Sequence, residues 1–128
     1  MASILRVNTL TDASSNNSTA MSIIHGGITR TWASFDGTAS GATIGDSFNV
    51  SSSDDDGTGD YGINFSSNFN NATYCSTFGD GEGNATSGMR FLMDAGSTTS
   101  SQEIYGRNVS NSAADCGAAS ISINGDPA

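Results

Sequence analysis

The sequence predicts an all-β protein: an antiparallel β-sandwich or jelly roll of about seven or eight short strands, preceded by an extended N-terminal arm. Three observations carry that expectation. Apolar residues alternate with small polar ones in short runs, which is the period of a half-buried strand. Clusters of Gly, Ser, Asn and Asp punctuate those runs at the spacing of an antiparallel sandwich. The second half contains no convincing helical pattern, and the one proline, Pro127, stands in the tail.

Residues 1–28 read as an arm and attachment segment, and residues 29–128 as the sandwich domain. Residues 3–10 (SILRVNTL) form a short strand with Ile4, Leu5, Val7 and Leu10 around Arg6, and residues 11–19 (TDASSNNST) form a polar linker. Residues 19–28 suit either one helical turn or an extended arm, closed by Gly26 and Gly27.

The body opens with TRTWASFDG, where Trp32 and Phe35 precede an Asp36-Gly37 turn signal. TIGDSFNVS follows as one strand, placing Phe48 and Val50 on one face. SSSDDDGTGD reads as a turn-forming cluster and hairpin connection. DYGINFSS gives the cleanest alternation, with Tyr61, Ile63 and Phe65 opposite Gly62 and Asn64. NNATYCSTFG, GMRFLMDA, EIYGRNV and AASISING complete the series, with GDGEGNATSG and AGSTTSS as turns. In the fourth of these strands Ile121 and Ile123 alternate with serines.

Composition bounds the function. The chain has 128 residues, 35% of them hydrophobic, and 16 glycines. One core fits, and a lone monomer would bury roughly two-thirds of its unfolded surface. So thin an apolar supply predicts an oligomer that borrows apolar surface from identical neighbours, and an isolated monomer that folds poorly. Thirteen acids oppose four bases, all arginine, for a net charge of −9. Phosphate backbones and anionic membranes reward clustered Lys and Arg, so nucleic acid and membrane surfaces are excluded as partners. The charge suits a soluble, self-repelling surface.

The N-terminus lacks the apolar core of a signal peptide, which predicts synthesis in a host cytoplasm. Cys75 and Cys116 are expected there as thiols, with a disulfide open to them after release into an oxidising medium. No catalytic or cofactor site is expected. His25 is the sole histidine and has no second ligand at metal spacing. No G-x-S-x-G elbow accompanies the many serines. The two glutamates, Glu82 and Glu103, stand in no apolar run that would raise their pKa values.

Asp54, Asp56 and Asp60 form a candidate site for Ca²⁺, which wants six to eight oxygen ligands. A soluble loop tip explains the same acids more simply. Asp54, Asp55, Asp56, Asp80 and Glu82 are accordingly expected in exposed loops. Trp32, Tyr61, Tyr74 and Tyr105 could stack on sugars, although their alternation with small residues favours core packing or a subunit interface.

The front of the chain, SILRVNTLTDASSNNST, resembles the opening of small tail-fibre-like virion proteins of bacteriophages infecting aquatic bacteria. TWASFDGT and IGDSFNVSSSDDDGTGDYGINFSSNFNNATYC resemble the body of the same proteins, as does the terminal SISINGDPA. Residues 79–115 follow the pattern only loosely, and DDDGTGD is more acidic than the usual turn. The resemblance implies a virion structural protein, trimeric, with no catalytic residues.

Within a virion two roles are expected. The absence of shaft repeats or heptads favours a trimeric capsid decoration (cement) protein that stabilises the head. Its arm residues Ile4, Leu5, Arg6, Val7 and Leu10 would dock on the major capsid protein, or on tail or vertex proteins. The alternative is a short tail fibre or head appendage that binds host-surface glycans through the acidic, Asn-rich loops.

Overall fold

The computed structural model describes residues 6–11, 13–14, 18–21, 24, 27–81, 88, 90–93, 96–126 and 128. Among them ten strands are antiparallel throughout. They are β1 (Thr9–Thr11), β2 (Ser18–Ala20), β3 (Thr31–Asp36), β4 (Thr43–Phe48), β5 (Val50–Gly57), β6 (Asp60–Phe65), β7 (Cys75–Asp80), β8 (Arg90–Met93), β9 (Ser101–Arg107) and β10 (Ala119–Asn124). The last eight form two four-stranded sheets, in the orders β4-β3-β10-β7 and β5-β6-β9-β8. β1 and β2 make a separate hairpin.

Alternation decides which faces meet. In β3 Thr31, Ala33 and Phe35 are buried while Trp32 and Ser34 face solvent, and in β10 Ala119, Ile121 and Ile123 are buried. Across from them stand Tyr61, Ile63 and Phe65 of β6 and Ile104 of β9. Phe35 meets Tyr61 edge-to-face at 5.5 Å between ring centroids, so the two sheets share one core. Each fully buried Ile stabilises the sandwich by about 2 kcal/mol relative to an exposed one. A second aromatic group, Phe65, Phe69 and Tyr74, closes one end, with centroid separations of 4.9 to 5.8 Å.

Among the described residues two large polar side chains lie wholly inside, Thr31 and Gln102. Gln102 of β9 accepts from the Ser76 hydroxyl at 2.6 Å and donates from Nε2 to Ser97 Oγ and Glu103 O, both at 2.8 Å. Ser76 belongs to β7, so this amide ties one sheet to the other. The opposite end is held by the Tyr61 hydroxyl. It accepts the Cys116 amide hydrogen at 3.2 Å and contacts Asp115 Oδ1 at 3.3 Å.

Three sequence expectations are corrected. TIGDSFNVS is not one strand: the chain turns at Asn49, with φ of 60°, and passes from the first sheet to the second. Asn tolerates this left-handed backbone better than most residues. Phe48 therefore faces outward while Val50 packs on the core. The acidic run is also not a loop. β5 continues through Asp54, Asp55 and Asp56 to Gly57, and only Thr58 and Gly59 separate it from β6. β5 is an edge strand, where carboxylates blunt pairing with another chain, and that overrides the turn preference of Asp.

Finally, the strand expected over residues 3–10 reaches only Thr9–Thr11 among the described residues, and Thr11, Ser18 and Thr19 of the expected linker are strand residues, in a pair with Thr9 opposite Ala20.

Candidate functional site

Of the arm residues, Arg6, Val7 and Leu10 are exposed, while Ile4 and Leu5 lie outside the described residues. The hairpin has strands of only three residues and no ladder to either body sheet. A two-stranded ribbon of this size is marginal in water without something to pack on. Val7 at 37% and Leu10 at 47% exposure are available for such packing.

The acids gather on the outer face of the second sheet. Asp54 stands opposite Gly62 in β6, which is in turn opposite Glu103 in β9. A Cβ at Gly62 would lie 3.3 Å from Glu103 Oε2 and 3.4 Å from Asp54 Oδ2, so both carboxylates overhang this glycine. Asn64 Nδ2 donates to Asp54 Oδ2 at 2.5 Å. Partial burial, aided by the charges of Asp56, Asp54 and Asp60, raises the Glu103 pKa.

That corrects the sequence reading of this glutamate. The local run is polar, but the strands beside it supply both burial and charge. Asp80 ends β7 and is exposed, and Glu82 falls outside the described residues. Among the described residues no group of three or more His, Cys, Asp or Glu side chains is arranged to hold a metal ion.

Cys75 is exposed and Cys116 buried, and neither is in a disulfide. Cys116 Sγ lies 3.5 Å from Asp80 Oδ1, at the end of β7 remote from Cys75. One strand length of about 16 Å thus separates the two regions. A disulfide needs Cα atoms within about 7 Å, so these two cysteines do not pair within the chain.

The outer face of the first sheet carries a feature that the sequence did not reveal. Trp32 of β3 and Phe48 of β4 are direct cross-strand partners, 37% and 57% exposed. Ser122 of β10 is the next partner of Trp32, and Thr77 of β7 follows it across the sheet. Beside Phe48 opens a cleft of about 330 Å³ lined by Arg30, Phe48, Asn49, Ser67, Asn68 and Phe69.

Asn49 is a rigid wall of this cleft. Its Nδ2 donates to Thr31 Oγ1 at 2.9 Å and to Ser67 O at 3.1 Å, and its Oδ1 accepts from Ser67 N at 2.7 Å. Ser67 and Asn68 are exposed, whereas Phe69 is buried and forms the floor. The only sequence signal was an Asn directly after Phe48, a residue type prone to the backbone that ends a strand.

No protein-family model, curated protein or solved structure matches this chain. The assignment of function therefore rests on sequence and geometry together.

Of the other aromatics, Tyr61 and Tyr74 belong to the core, and burial raises both phenol pKa values. Tyr105 lies with the Arg107 guanidinium 5.5 Å from its ring centroid. His25 lies outside the described residues. Among the described residues no helix is long and apolar enough to cross a membrane.

Proposed function

We propose that the chain is a bacteriophage virion structural protein, a trimeric capsid decoration protein whose N-terminal hairpin fastens the sandwich to the head. One observation carries this reading: a hairpin of two three-residue strands outside both body sheets, with Val7 and Leu10 exposed. Such a ribbon gains its stability from a partner surface. Arg6 beside it offers a charge contact to acidic capsid protein, and three copies would multiply the attachment strength. The body supports a structural role in turn, since its edge strand β5 bears acids that discourage open-ended pairing.

The test is immunogold labelling of intact particles, with wild-type protein and with Val7→Glu/Leu10→Glu. Label spread over the head in many copies, lost in the double variant, is the expected result. Label confined to the tail or to one vertex would hand the case to a short fibre. Undiminished labelling by the variant would remove the arm from the account.

A further inference from the structure

We propose that the outer face of the sheet β4-β3-β10-β7 is a saccharide-binding site, and that it takes a uronic-acid sugar: the pyranose ring on Trp32 and Phe48, its carboxylate on Arg30. This inference stands apart from the attachment role of the hairpin, because a head-bound and a tail-bound body can both present this face outward.

The exposed apolar area of the patch is on the scale of a small ligand. The exposed parts of Trp32 and Phe48 amount together to about 200 Å², given the 150–250 Å² such side chains carry. Around the two rings the sheet presents Ser34, Ser122 and Thr77, which surround them with hydroxyls. Two exposed aromatic side chains opposite each other on neighbouring strands, with hydroxyls and an amide nearby, match the apolar face and polar edge of a sugar ring. The adjoining cleft of about 330 Å³ lies within the range of small-ligand sites.

Charge selects the kind of sugar. Arg30 lines the cleft beside Phe48 and is one of four bases in a chain of net charge −9. A guanidinium matches a planar carboxylate through two parallel hydrogen bonds. The net charge opposes any polyanion at long range, so the match to a carboxylate is a local one, made by Arg30 against a single planar acid group. Asn68 stands exposed at the rim for ring hydroxyls, and Asn49 is already held by Thr31 and Ser67, which fixes the shape of the cleft before any ligand arrives.

Trp32 is the only tryptophan, so the site carries its own fluorescent reporter. The experiment titrates full-length protein with digalacturonate and diglucuronate, and with the matching neutral disaccharides, following Trp32 emission. A saturable change with a uronate is expected, at least tenfold weaker with the neutral sugars. Arg30→Gln should lose that preference. Asn68→Asp, at an exposed side chain, should weaken uronate binding at least as much by placing a carboxylate at the rim.

No saturable change with any sugar at millimolar concentration overturns the proposal. Equal affinity for neutral and acidic sugars overturns the role of Arg30. A Trp32 emission that shifts with protein concentration alone, and ignores sugar, makes a second copy of this chain the occupant. Particle labelling reports on the hairpin independently of all these outcomes.

Discussion

Asn49 donates from Nδ2 to the Thr31 hydroxyl at 2.9 Å, at the residue where the chain leaves one sheet for the other. Three side-chain hydrogen bonds and a positive φ meet at this one residue. Asn49→Ala removes the bonds and adds strain in left-handed backbone, for a loss of about 3 kcal/mol. Asn49→Gly relieves the backbone but not the bonds, and should recover about 1 kcal/mol of that. Denaturant unfolding of both variants checks the order. An alanine variant as stable as the glycine variant would contradict it.

Gln102 and Ser76 bridge the sheets inside the core, so their effects should not add. Ser76→Ala leaves Gln102 Oε1 short of a partner and should cost about 1–2 kcal/mol. Gln102→Leu strands the Ser76 and Ser97 hydroxyls and should cost about 2–3 kcal/mol. The double variant should fall short of the sum by about 1 kcal/mol, read from a double-mutant cycle in urea. Strict additivity would mean the bridge contributes nothing as a pair.

Glu103 sets a pH dependence whose sign follows from its raised pKa. A carboxyl with a higher pKa in the folded state stabilises most below its unfolded value and loses that as pH rises through the folded value. At neutral pH the charged form is thus a burden beside Asp56, Asp54 and Asp60. Glu103→Gln should raise Tm at pH 7, and the gain should fade below about pH 4, where the carboxyl is protonated anyway. Calorimetry at the two pH values decides it; a variant that melts lower at pH 7 refutes this electrostatic account.

Asp36 acts in the opposite sense. The Thr38 hydroxyl and amide donate to its Oδ1 and hold its pKa down, so its contribution is lost as pH falls.

The two thiols should react at different rates. Cys75 is exposed and should titrate with a colorimetric disulfide reagent within the mixing time, whereas Cys116 waits for local opening. One fast equivalent and one slow equivalent are expected in native protein, and two fast ones in denaturant. Two fast equivalents without denaturant would show that the Cys116 end of the sandwich is open.

Periodicity by itself determined the all-β class and most of the strands, because residues two apart share a face wherever a core lies on one side. Tyr61, Ile63 and Phe65 were legible in this way, as were Ile121 and Ile123. The polar chemistry was legible in kind but not in place. Three aspartates beside glycines carry the local preference of a turn, and only the edge position of β5 turns them into strand.

Tertiary structure alone decided the rest. Phe48 and Val50 alternate correctly, yet a left-handed Asn49 sends them to different faces of different sheets. Local sequence likewise gave no sign that Glu103 would be partly buried beside the acids of two other strands. The exposed pair of Trp32 and Phe48, with Arg30 at its side, exists only because strand register brings together residues far apart in the chain. Alternation tells which residues share a face, but pairing and sheet packing decide whether that face meets a core or solvent.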